Sequence, residues 1–207
     1  GAAAREDKPI YVGTVDLDFL ERTYWNRAGE AASPQPRARV ADILMAATAI
    51  SGVFPPVEID GAIHADLGIA EGIPVFSGVG MDAFGDAWRA RAGGRPMPVM
   101  RFWVIYNIAL GLEPDPVDLS LASLARRGWD AMIQASFGGP IRTLKLMERV
   151  STDTRTPLIE VRWLAIPSTW RWNPDDTPFD PAITNELADI GRRMAGEANG
   201  GWRSDGP

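Results

Sequence analysis

One carboxylate, Asp66, sits at a fixed distance behind a tight, proline-locked turn. The turn is Ile50-Ser51-Gly52-Val53-Phe54-Pro55-Pro56, and Asp66 follows ten residues after Pro56, in His64-Ala65-Asp66-Leu67-Gly68. A carboxylate on a short rigid turn can take the proton of a hydroxyl, or hold that hydroxyl while it gains alkoxide character in attack on a carbonyl. Its structural reading is a turn cap before Leu67-Gly68. The other reactive types are sparse. His64 is the only histidine and cysteine is absent. A thiol nucleophile, a disulfide framework and a multi-histidine metal centre are therefore excluded. His64 and Asp66 share a strand face if the strand is continuous; the histidine reads as a packing or hydrogen-bonding residue. Asp16 and Asp18 read as capping or solvated groups rather than a glycosidase pair. No serine lies in a Gly-x-Ser-x-Gly sequence. Ser51 and Ser77 read as turn hydroxyls, the lesser alternative being a substitute nucleophile. The glycine-rich stretches at 77–80, 92–94 and 138–139 lack the phosphate-loop pattern. Trp170-Arg171-Trp172 reads as aromatic anchoring of a long loop, with the lining of an apolar cleft as the alternative.

These residues need a scaffold to hold them. The 207 residues suffice for one sizeable domain with a core, and 1–207 is read as a single domain with a frayed tail at 197–207. Ile10–Leu17 and Thr23–Trp25 read as strands. Val40, Ile43, Leu44, Ala47 and Ile50 keep one face of a helix over 37–50. Asp60-Gly61 between two short apolar runs predicts a hairpin that ends just before Asp66. A short helix is expected through Trp88. Val99–Leu110 is nearly all apolar and predicts a central strand buried on both faces. Asp118 caps a helix from 119 to about 137, Gly138-Gly139-Pro140 breaks it, and a second helix follows over 141–150. Leu158–Ile166 is a further strand, and Asp180-Pro181 starts a last helix. Alternation of strands and helices predicts an α/β layered fold.

The net charge of −6 repels phosphate backbones, which argues against nucleic acid as a partner and against docking on anionic lipid by charge. No apolar run is long enough to span a bilayer, and the first residues do not form a signal peptide. The abrupt opening in a strand is what truncation or processing of a longer precursor produces.

Taken together, the strand Tyr11–Leu17, the turn Ala47–Pro56, the aspartate that follows it, the strand Phe102–Asn107 and the Phe179-Asp180-Pro181 helix resemble the later part of a patatin-like serine acyl hydrolase, in a bacterial branch of that family. The resemblance runs from about residue 9 to 203. It implies a three-layer sandwich with a mostly parallel central sheet, whose N-terminal part is absent from this chain. It implies lipase, esterase or phospholipase activity in lipid degradation, with a serine–aspartate dyad, no metal and no organic cofactor. By the resemblance Asp66 is the dyad aspartate. The serine and oxyanion loop then come from an upstream patatin segment carrying Gly-x-Ser-x-Gly, in the same precursor or a separate chain. The substrate is a lipid or acyl ester. The compartment stays open between bacterial cytoplasm and cell envelope or periplasm. The family's Asp-Gly-Gly stands here as Asp66-Leu67-Gly68 and its Ile-Pro-Gly as Ile50-Ser51-Gly52, so the loop after the aspartate is expected to be reshaped. The alternative is a degenerate patatin-like module that binds or assembles without catalysis. A chain with half its sheet elsewhere is expected to expose an apolar edge and face, and to self-associate or require its partner half.

Overall fold

A computed structural model describes residues 10–30, 34–74, 81–111, 116–153, 159–170 and 180–205. The chain is α/β and divides into two compact units, residues 1–84 and 85–207.

The first unit is a four-stranded antiparallel sheet in the order β2-β1-β4-β3, built from β1 (Tyr11–Asp16), β2 (Glu21–Asn26), β3 (Val57–Ile59) and β4 (Ala62–Asp66). A single turn of helix, α1 (Arg27–Glu30), follows β2, and α2 (Pro36–Ala47) packs across one face. The apolar stripe expected over 37–50 does this: Ile43 and Ala46 are buried against Ile59, Val12, Trp25 and Val57. The β3–β4 hairpin forms as Asp60-Gly61 predicts. Both central residues have positive φ, 55° and 84°, the geometry of a type I′ turn that matches strand twist. Arg39 on α2 clamps this turn with two hydrogen bonds to Asp60, at 2.8 and 2.7 Å, and lies over the Trp25 ring. The bridging holds Asp60 below the usual carboxylate range.

The second unit carries α3 (Met81–Arg91), which begins just before it, then β5 (Met100–Ala109), α4 (Leu121–Asp153), β6 (Ile159–Ile166) and α5 (Pro181–Ala195). β5 and β6 form a parallel pair. The described strands are thus one antiparallel sheet and one parallel pair; a mostly parallel central sheet is not among these pairings.

Two elements differ from the sequence reading. β5 is not buried on both faces. It alternates, with Val104 and Tyr106 buried on the face where Tyr106 meets Phe137 of α4, and Trp103 and Ile105 exposed on the other face. Helix α4 does not stop at Gly138-Gly139-Pro140 but runs through Pro140 for 33 residues. Pro140 removes the N–H that the Ser136 carbonyl would take. The next carbonyl, Phe137, accepts a 2.7 Å hydrogen bond from Tyr106 Oη on β5, and Thr143 Oγ1 donates to Gly139 O at 3.1 Å. Side-chain donors thus serve carbonyls around the proline, and burial of Ile141 and Leu144 holds the helix beyond it. Burial lifts the Tyr106 phenol well above its ordinary pKa.

Asp180 caps α5 as expected, accepting from Ala182 N–H at 2.7 Å. The segment read as a frayed tail is bonded into this unit. Trp163 and Arg203 exchange backbone hydrogen bonds of 3.1 and 2.8 Å, Trp163 Nε1 donates to Asp205 O, and Trp202 stacks edge-on against Trp103.

Candidate functional site

Asp66 is the last residue of β4, directly opposite Thr14 of β1. Thr14 in turn faces Thr23 of β2. Residues opposite one another in antiparallel pairs share a face, so Asp66 lies on the face that α2 covers. The turn after α2 is stitched to this point: Asp66 N–H donates to Ala49 O at 3.0 Å. That bond ties the end of α2 and the turn after it to the strand end that carries the carboxylate.

The Asp66 side chain is half-buried. Oδ1 accepts from Gly68 N–H at 2.7 Å, which makes Asp66 the N-cap of a short 3-10 helix, Leu67–Ile69. Among the described residues Gly68 N–H is the one donor found on this carboxylate. Burial raises the Asp66 carboxyl above the ordinary carboxylate range, and the Gly68 N–H pulls it part of the way back. A carboxylate with one oxygen anchored and a raised proton affinity is suited to take a proton from an incoming hydroxyl.

The chain after Asp66 turns at once into the 3-10 helix Leu67–Ile69. Leu67 needs no positive φ because the chain enters a helical turn. Its side chain is buried over Gly13: a methyl group at Gly13 would stand 2.3 Å from Leu67 Cδ2. Sequence reasoning missed this contact. The available signal was a glycine inside a strand, which marks a close approach.

His64 shares the face of Asp66 but is a core residue, 4% exposed. Trp25 Nε1 donates to Thr14 Oγ1 at 2.8 Å, so the threonine hydroxyl can give its own hydrogen to His64 Nδ1, 3.1 Å away. The imidazole also meets Trp25 edge-on at 5.4 Å. The acidic pair is structural. Asp16 Oδ1 accepts from the N–H groups of Asp18 and Phe19, and Asp18 Oδ2 from Ile63 N–H. Ser77, Arg171, Trp172 and Phe179 lie outside the described residues. Trp170 Nε1 donates to Glu186 on α5 at 3.2 Å, an anchoring contact.

No protein-family model and no curated protein matches the chain. The chemistry of the site therefore rests on its geometry and on the motifs quoted above. Among the described residues no cluster of His, Asp or Glu could hold a metal ion, and no helix is long and apolar enough to cross a membrane.

Ser51 occupies the second position of a type II turn. Val53 N–H donates to Ile50 O at 2.9 Å and Gly52 takes φ 84° at the third position. The Ser51 hydroxyl oxygen is buried with no hydrogen-bond partner. Proline suits this position, restricts the unfolded chain and removes the orphaned hydroxyl. Ser51→Pro is expected to stabilise the chain by about 1 kcal/mol or more. Calorimetry should show the melting temperature rising by a few degrees, and a fall would show that the turn cannot accept the ring.

Proposed function

We propose that this chain supplies the general-base half of a patatin-type serine–aspartate dyad that hydrolyses carboxylic esters of lipids or short acyl chains. The observation that carries this reading is Asp66: a half-buried carboxylate at a strand end, one oxygen fixed by Gly68 N–H, its proton affinity raised by burial. In the proposed reaction a seryl hydroxyl presented by a separate segment gives its proton to Asp66 and its oxygen to the ester carbonyl. The tetrahedral oxyanion is held by backbone N–H groups of that same segment. The alcohol leaves with the proton, an acyl-enzyme remains, and water activated by Asp66 releases the acid and regenerates serine. In this reading the two units belong to a patatin-like three-layer sandwich completed by the serine-bearing segment, and the lipid or acyl ester binds where the two parts meet Asp66.

A second reading, a non-catalytic binding or assembly module, is favoured by one observation. Asp66 Oδ1 already has a structural task as the cap of Leu67–Ile69, and Leu67 is bulky where the family carries glycine.

A fluorophosphonate probe separates the two. The chain alone is expected to remain unlabelled. The chain joined to the reading frame encoded ahead of Gly1, or mixed with a separately encoded Gly-x-Ser-x-Gly segment, is expected to label at serine and to cleave a p-nitrophenyl ester. Absence of labelling in every combination supports the binding module.

A further inference from the structure

Directly after Asp66 the chain leaves β4, crosses β1 and is fastened on β2. Leu67 lies over Gly13 of β1. Ala70 N–H and Glu71 N–H both donate to Leu67 O at 2.8 Å, which closes the turn. Glu71 then meets two side chains of β2. Tyr24 Oη donates to Glu71 Oε2 at 2.7 Å, and Arg22 Nε lies 3.0 Å from the same oxygen. Arg22 Nη2 also reaches Ala70 O at 3.5 Å. Arg22 and Tyr24 alternate with Trp25, which packs on the α2 side, so both stand on the opposite face of the sheet. Tyr24 is opposite Gly13 in the β1–β2 ladder, and the glycine leaves room there for Leu67. The Glu71 side chain is only 10% exposed. A carboxylate so far out of water is costly unless hydrogen-bonding and charged partners meet it. Here both partners come from one strand, which makes Glu71 a point of attachment. Arg22 is exposed enough for solvent to weaken its share; the phenol hydroxyl, bonded to an ionised acceptor, is the firmer tie.

We propose that Glu71 is the positioning residue of the Asp66 carboxylate: fastened by Tyr24 and Arg22, it holds the 67–71 turn so that Gly68 N–H stays on Asp66 Oδ1. Gly68 lies between two fixed ends, Asp66 in the β4 ladder and Glu71 on β2. The near end is set by the strand and by the bond from Asp66 N–H to Ala49 O. With the far end released, only the packing of Leu67 keeps the Gly68 amide aimed. Glu71 does not touch the reacting atoms; it acts through the turn. Its effect on ester cleavage rests on the reading of Asp66 as general base, whereas its effect on the carboxylate is measurable without that reading.

The first test uses the intact chain alone, by NMR titration of the Asp66 carboxyl carbon and the Gly68 amide proton. In the parent the Gly68 amide is expected to follow the Asp66 titration, because it donates to that carboxylate. Glu71→Ala is expected to abolish this response and to move the Asp66 midpoint down toward that of an exposed aspartate, since burial is what raises it. Glu71→Gln removes the same charge, but its amide oxygen can still accept from Tyr24, so the Gly68 response should persist. Tyr24→Phe changes no charge and removes one tie. It should weaken the response, and it decides the question if Glu71→Ala does not fold. The second test uses the chain completed by a Gly-x-Ser-x-Gly segment. There Glu71→Ala and Tyr24→Phe should lower kcat for a p-nitrophenyl ester by roughly ten- to a hundredfold with KM unchanged, the signature of a misplaced group. A completed parent without esterase activity would refute the general-base reading, and the titration would still decide the positioning. A Gly68 response that survives both Glu71→Ala and Tyr24→Phe would reduce Glu71 to a stabilising contact and overturn the proposal. Equal losses in Glu71→Gln and Glu71→Ala would overturn it too, by making charge the agent. So would a kcat equal to the parent's in an active assembly.

Discussion

Gly13→Ala is expected to destabilise the first unit by about 1–3 kcal/mol, the usual range for overpacking. β1 is held between β2 and β4, so its backbone cannot retreat in the plane of the sheet. The new methyl would stand 2.3 Å from Leu67 Cδ2, with Leu67 Cγ and Cβ at 3.4 and 3.5 Å. The leucine cannot swing away cheaply, because it is buried and begins the helical turn that Asp66 caps. Leu67→Ala alone should also cost stability, by about 2–5 kcal/mol at most, because it leaves a void over Gly13. The double variant should be better than the sum: the methyl at 13 enters the space that the leucine vacates. A coupling of about 1 kcal/mol or more is expected from a double-mutant cycle in urea. Additive losses would mean that Gly13 and Leu67 do not share that space. The cycle matters for the site as well, since Leu67 sets the direction of the turn that fixes Asp66 Oδ1.

This pair also marks where sequence reasoning stopped. What could be read was local. The Asp60-Gly61 hairpin followed from two residues that tolerate positive φ, and the start of α5 from an aspartate followed by proline. Asp66 could be placed at a strand end because that hairpin lies only a few residues before it. What could not be read depended on partners distant in the chain. The contact of Gly13 with Leu67, and the position of Thr14 opposite Asp66, arise only when β1 pairs with β4. The apolar run of β5 looks the same in sequence whether one face of its sheet is covered or both. Its alternation of exposed Trp103 and Ile105 with buried Val104 and Tyr106 is a property of the sheet around it. Pro140 is a helix breaker by local rules, yet Tyr106 on another element supplies a donor to a carbonyl beside the proline. The role of Ser51 was hidden for a similar reason. Its type says turn, but whether its hydroxyl finds a partner depends on what packs over the turn.

Asp66→Asn is expected to remove ester hydrolysis from the completed enzyme while leaving the fold intact. The amide carbonyl of asparagine can still accept from Gly68 N–H, and asparagine caps as well as aspartate. The cap therefore survives while the proton acceptor is lost. The rate of p-nitrophenyl ester cleavage, with the serine segment present, should fall roughly a hundred- to ten-thousand-fold, the range for loss of a positioned general base. Asp66→Ala should lose the same activity and in addition about 1 kcal/mol of stability, because the cap goes too. The pH dependence gives a further check with a definite sign. Burial raises the folded-state pKa of Asp66 above its unfolded value. The folded chain then holds this proton more tightly than the unfolded chain. The favourable contribution is full below the unfolded pKa, near 4 for an ordinary aspartate, and is lost as pH rises through the folded value. At neutral pH the ionised, half-buried carboxylate is a liability, and Asp66→Asn should melt no lower than the parent, and slightly higher. At pH values below the unfolded pKa that advantage should disappear. In the active assembly the acid limb of the rate profile should fall at a pH above that of an exposed aspartate. A variant that melts much lower, or that keeps full esterase activity, would assign Asp66 to the turn alone and leave the proton transfer to another group.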